Sequence, residues 1–171
     1  MLKKLVGKLF GFEAEIALLK EQISQLSLDP VFGMWTRNAF LQFSHVMPRG
    51  LRVVVFLDLD NLHQLNDQYG YEEINRRIRA IFSIPFRRSD LVARWFSGDE
   101  IVILFDSDEE FALRKVAQLE EAARQQGMSF HFQLGIWDVG KEPVERVIDE
   151  LSAKVLGQKS WEKQQRVSGA R

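Results

Sequence analysis

The chain predicts an α/β-class domain of the α+β type, a central mixed sheet flanked by helices and preceded by a separate N-terminal helix. Three observations lead there. Leu51 to Leu59 is a β-branched, apolar run that ends in acid at Asp58 and Asp60. Arg94-Trp95-Phe96 and Ile101 to Phe105 read as two strands of a hairpin, with Ser97-Gly98-Asp99-Glu100 as the turn. Helical periodicities separate the remaining strands and give the order α-β-α-α-β-β-α-β-α. A hairpin inside that order implies a mixed sheet with helices on one face, rather than a doubly wound parallel sheet.

At the N-terminus, Leu5, Leu9, Phe12, Ile16, Leu19, Ile23 and Leu26 follow at spacings of 4, 3, 4, 3, 4 and 3. That heptad seam is the pattern of a helix packing against a copy of itself, as in a parallel homodimer. Packing onto its own domain remains open, as does contact of the basic, Phe-containing start with a membrane surface. Asp29-Pro30 closes this helix, because the residue before proline disfavours helix. A helix over 36–46 follows, then a turn at Pro48-Arg49-Gly50 into the strand Leu51–Leu59. Asn61 to Tyr69 is a short helix broken at Gly70, and Glu72 to Phe82 resumes with Ile74, Ile78, Ile81 and Phe82 on one face. After the hairpin, Ser107-Asp108-Glu109-Glu110 reads as a capping box opening a helix that runs to about Gln126 and ends at Gly127. Met128 to Val139 alternates like a strand, and Val144 to Leu156 is a last amphipathic helix. The expected division is a helix over 1–28, a domain over 29–160 and a tail over 161–171.

Composition excludes several classes of function. Hydrophobic residues at 46% of 171 supply a real core, and a net charge of −1 leaves no basic surplus for general nucleic-acid binding. The absence of cysteine removes disulfides, thiolate catalysis and cysteine-ligated zinc. No run of about 18 apolar residues occurs, and the first 12 residues are too often charged for a secretory signal. A cytoplasmic location is the expectation.

The chemistry is concentrated at the strand ends. If the strand ending at Asp58 lies beside the hairpin, Asp58, Asp99 and Glu100 meet at one sheet edge. Clustered carboxylates repel unless a cation sits among them, and an all-oxygen set suits Mg²⁺ or Mn²⁺. Such a site holds nucleotide phosphates and supports phosphoryl or nucleotidyl transfer. The plainer alternative is that acids merely end strands at a solvated edge.

Four stretches together resemble the GGDEF domain, the palm-like catalytic domain of diguanylate cyclases. DPVFGMWTRNAF (29–40) is similar to the family's opening motif and keeps Asp29, Gly33, Arg37 and Phe40. FLDLDNLHQLNDQYG (56–70) is the most specific match, SGDEI (97–101) stands for the signature, and Ala153-Lys154-Val155-Leu156-Gly157 echoes the late AKxxG. The resemblance implies a homodimer in which two nucleoside triphosphates, GTP by family default, condense into a cyclic dinucleotide and release pyrophosphate. It implies that Asp58, Asp99 and the Leu59 carbonyl hold Mg²⁺ or Mn²⁺. Glu100 would complete the metal site or help deprotonate the attacking hydroxyl. Gly98 would let the backbone pass close to the phosphates, Lys154 would grip them and Asn66 would bind the base.

Departures from the family pattern bear on activity. Ile74 and Asn75 stand where a Gly-Asp pair is usual. An amide at Asn75 can pair with adenine, which weakens guanine selection and opens ATP as a substrate. His63 replaces a phosphate-side lysine, Leu62 a phenylalanine and Gln158 an arginine, so positive charge is stripped from the triphosphate site. Trp95-Phe96 fills a place where one residue is usual. Arg87-x-x-Asp90 resembles the inhibitory RxxD site for cyclic dinucleotide, though an ordinary ion pair explains it as well. His45 and His131 read as structural. Two readings therefore stand: a dinucleotide cyclase, or a degenerate domain that binds nucleotide or cyclic dinucleotide and relays a signal.

Overall fold

The computed structural model describes residues 27–96 and 98–168. The heptad seam over Leu5 to Leu26, and Ser97 of the signature, lie outside the described residues. In chain order the elements are β1 (Trp35–Thr36), α1 (Arg37–His45), β2 (Gly50–Leu59), α2 (Leu62–Tyr69), α3 (Tyr71–Ile81), β3 (Leu91–Arg94), β4 (Glu100–Phe105), α4 (Glu109–Gln125), β5 (Phe130–Val139) and α5 (Val144–Ser168). The sheet order is β1-β3-β4-β2-β5. β2 is an interior strand, antiparallel to β4 and β5, and the short β1 pairs parallel with β3, so the sheet is mixed as expected.

Helices cover both faces of the sheet, which corrects the one-face expectation. Val53, Val55, Leu57 and Leu59 of β2 pack with Ile74, Ile78 and Ile81 of α3 and with Val116 and Leu119 of α4. Val54 and Phe56 point the other way, into a second core with Phe40 of α1 and Val144, Ile148, Leu151 and Val155 of α5. The physical reason is visible in β2 itself: Val53 to Leu59 are all buried, and a strand without polar alternation needs cover on both sides.

Three element boundaries also differ from expectation. The first hairpin strand is Leu91–Arg94, and Trp95 and Phe96 lie beyond it. Trp95 leaves the ladder to pack edge-on against Phe40, ring centroids 5.7 Å apart, while its N–H still bonds the Glu100 carbonyl at 2.9 Å. The cap of α4 is Asp108, whose carboxylate accepts from the Phe111 N–H at 2.8 Å, so the motif is shifted by one residue from Ser107. Finally, α5 continues past Leu156 to Ser168. Its early turns seat closely on β5 because Gly135 has no side chain: a Cβ there would lie 3.2 Å from Leu151. That approach carries the later turns of α5 towards the acidic end of β2. Among the described residues, no helix is long and apolar enough to cross a membrane.

Candidate functional site

The acidic end of β2 is built by strand register. Asp58 pairs with Glu100 on β4 and with His131 on β5, and the Leu59 N–H donates to the Asp99 carbonyl at 2.9 Å. Asp58, Asp99 and Glu100 therefore share one sheet edge, as their strand-end positions predict. Asn61 then takes a left-handed backbone conformation (φ 54°), which asparagine tolerates, and turns the chain directly into α2. The hairpin tip is held from beneath. Arg94 pairs with Asp29 at 2.9 Å, and Asp29 also accepts the Val31 and Phe32 N–H groups. Arg37 stacks its guanidinium over Phe96 and Trp95, 4.4 and 4.9 Å from the ring centroids.

One residue at this edge went unrecognised in the sequence. The Lys159 ammonium, on α5, stands 2.7 Å from Asp58 Oδ1, 3.1 Å from Asp60 Oδ1 and 3.2 Å from the Leu59 carbonyl oxygen. An ammonium has three N–H donors, and three oxygens surround this one. Asp60 also accepts from Ser129 Oγ at 2.8 Å and contacts His131 Nδ1 at 2.7 Å, and His131 Nε2 lies 3.1 Å from Glu162 Oε1. Lys159 and Glu162 thus tie the later turns of α5 to the ends of β2 and β5. His131, read as structural from the sequence, belongs to this network.

The other predicted residues are more dispersed. Lys154 and Gln158 are exposed on α5. His63 is exposed and pairs with Asp67 one turn on, at 2.9 Å. Asn66 presents a buried amide oxygen without a hydrogen-bond partner. Asn75 instead lines an open groove of about 1050 Å³ with Val31, Tyr69, Tyr71, Arg76 and Arg79; Asn66 is not part of that lining. A Cβ on Gly98 would approach an Arg94 nitrogen to 3.2 Å and Leu62 to 3.7 Å, so glycine lets the tip close over both. Asp90 is buried and accepts the Arg87 N–H at 2.8 Å, closing its own turn, while the Arg87 guanidinium stacks on Phe111, 3.8 Å from the centroid.

Electrostatics set the character of the edge. Burial pushes the Asp58 carboxyl above its ordinary value, and the neighbouring Asp99 and Asp60 charges add to that against the pull of Lys159. Asp60 is shifted down: burial opposes ionisation, but His131, Ser129 and Lys159 outweigh it. His131 is shifted up from 6.5, since Asp60 and Glu162 outweigh the effect of burial. A raised imidazole stabilises the fold fully below the unfolded value, and that contribution disappears as pH rises through the folded one. The melting temperature of the wild type should therefore exceed that of His131→Gln most at about pH 6, with the gap shrinking towards about pH 9. A gap that does not change with pH defeats the ion-pair assignment.

The Lys159 ammonium stands against two of the oxygens that the family resemblance assigns to a divalent cation, Asp58 Oδ1 and the Leu59 carbonyl. Among the described residues, no three histidine, aspartate or glutamate side chains are grouped to hold a metal ion. Asp99 and Glu100, which the resemblance assigns to the same metal site, lie at the same edge. An ammonium and a divalent ion would repel at such close quarters, so the two would compete for these oxygens.

Likeness to known proteins identifies the class. The family model described as "Diguanylate cyclase, GGDEF domain" matches residues 28–155. The chain belongs to the GGDEF family. The solved diguanylate cyclase SiaD of Pseudomonas aeruginosa, in complex with its activator SiaC, superposes with a TM-score of 0.71 at 20% identity, over 93% of this chain and 68% of that one. The coiled coil and GGDEF domain of DgcB from Caulobacter crescentus, in complex with c-di-GMP, gives a TM-score of 0.70 at 17% identity, over 91% and 94% of the two chains. A curated relative, the cyclic di-GMP phosphodiesterase NbdA of Pseudomonas aeruginosa, is 32% identical over 104 residues. That match covers 53% of this chain and 12% of the length of the relative.

Proposed function

We propose that this GGDEF domain binds a nucleotide or cyclic dinucleotide and passes its occupancy to a partner without turning the ligand over. The observation that carries this reading is the Lys159 ammonium bonded to Asp58, Asp60 and the Leu59 carbonyl, where cyclisation would need a metal. The exposure of His63 and Lys154 agrees, with His63 paired to Asp67 on its own helix. The unpartnered Asn66 amide oxygen supports retained ligand binding, since a buried acceptor left without a partner is costly. The c-di-GMP complex of DgcB suggests the ligand class. The N-terminal heptad seam supplies a route to a homodimer.

The cyclase reading keeps one specific support: Asp58 lies in register with Glu100, beside Asp99. On that reading a homodimer carrying Mg²⁺ or Mn²⁺ condenses GTP, or ATP in view of Asn75, into a cyclic dinucleotide.

The deciding experiment incubates the protein and an Asp99→Ala variant with all four nucleoside triphosphates and Mg²⁺ or Mn²⁺, with products read by mass spectrometry. Calorimetry with c-di-GMP, GTP and ATP runs alongside, on the wild type and on Asn75→Asp. The expected result is binding without cyclic product. A cyclic dinucleotide that disappears in Asp99→Ala would replace this reading with the cyclase, and absence of binding to all three ligands would defeat both.

A further inference from the structure

We propose that Lys159 is the resident cation of this domain: its ammonium takes the divalent-metal position between Asp58 and the Leu59 carbonyl, and its removal opens a site for a divalent ion. This rests on the reading of the domain as a GGDEF-type ligand-binding module and specifies how its acidic edge is neutralised. Three features support it. The ammonium reaches two carboxylates and a main-chain carbonyl at once, at 2.7, 3.1 and 3.2 Å. It is delivered by a helix fixed on both sides of the contact, by Leu151 and Val155 in the core and by Glu162 at His131. Its oxygen partners are hard donors that suit a divalent ion as well as an ammonium, so the difference between the two states lies in one side chain.

A tethered cation also has an entropic advantage over a free one. The lysine is held close to its partners by the fold, whereas a metal ion must be drawn from solution and partly dehydrated. Ligand binding by the wild type is therefore expected to be unaffected by removing divalent ions, in contrast to a metal-bridged nucleotide.

Mn²⁺ titrations followed by electron paramagnetic resonance test this directly, because the signal of the free hydrated ion falls as the ion binds. The wild type and Lys159→Arg should leave the signal close to that of buffer. Lys159→Met should bind about 10- to 100-fold more tightly. Adding Asp58→Asn to Lys159→Met should remove the gained binding, which places the ion at the acidic edge. Circular dichroism verifies the fold, and Lys159→Gln, which keeps a polar head, serves if the methionine variant is unfolded. Tight Mn²⁺ binding by the wild type overturns the proposal, as does a folded Lys159→Met or Lys159→Gln that gains none. Since no nucleotide enters these measurements, a negative result here is separate from failure of the ligand-binding reading.

Discussion

Phe40→Ala should destabilise the domain by about 3–5 kcal/mol, among the largest losses available to a single substitution. Phe40 is fully buried at the junction of α1 with the sheet and meets the ring of Trp95 edge-on. Its neighbours in that core include Val54, Phe56, Val102 and Leu104, which belong to the two central strands. Strands cannot shift to fill a void without breaking ladder bonds, so the cavity persists and the cost is near the top of the range. The effect also reaches the signature. Trp95 would lose its packing partner directly before the turn that carries Asp99, so hydrogen exchange at residues 95–101 should accelerate more than at β5. Urea denaturation checks the first statement, and a loss under about 1 kcal/mol would mean that the α1 interface is far looser than its burial indicates.

Lys159→Met, measured without divalent ions, should cost about 2–4 kcal/mol, somewhat below the range for a fully buried pair because the lysine side chain keeps 25% exposure. The loss comes from what is left behind. Asp58 and Asp60 are left side by side without the ammonium that offsets them, and the Leu59 carbonyl loses its lysine donor. Converting Asp58 as well, in Asp58→Leu with Lys159→Met, should recover much of the loss, because an ion pair replaced by apolar residues is often close to neutral. Incomplete recovery is expected, since Asp60 and the carbonyl still lack their donor. Thermal denaturation of the four proteins completes the cycle. Additive effects would mean that Lys159 and Asp58 do not stabilise one another.

Much of the fold was legible because its signals are local. β2 reads as a buried strand from its unbroken apolar run, and the helix breaks at Gly70 and Gly127 fall where they were expected. The cover on both sheet faces is written in the missing alternation of β2, a signal separate from the hairpin order that points to one face. Trp95 and Phe96 misled for a physical reason: aromatic residues have high strand propensity, and here tertiary packing against Phe40 and Arg37 prevailed. At the site, the shared edge of Asp58, Asp99 and Glu100 followed from strand ends alone. Lys159 did not, because the apolar periodicity that marks α5 fades after Leu156. No local pattern pairs a lysine with a carbonyl 100 residues earlier.

The pairing of β2 on both sides also governs when this protein can become itself during synthesis. Its ladder partners lie at 100–105 and 130–139, and the lysine that neutralises its acidic end comes later still. At translation rates of about 5–20 residues per second, the 100 residues separating Leu59 from Lys159 take roughly 5–20 s to appear. Until Phe105 is made, the nascent chain holds a largely apolar strand, Val53 to Leu59, with neither neighbour complete, and its second neighbour ends only at Val139. Such a segment is a binding site for a chaperone and a seed for aggregation. The pairing is non-local, so its closure should be the slow step in refolding from denaturant as well. A ribosome-bound fragment ending before β5 should therefore remain sensitive to protease throughout, and resistance should appear only once α5 has emerged.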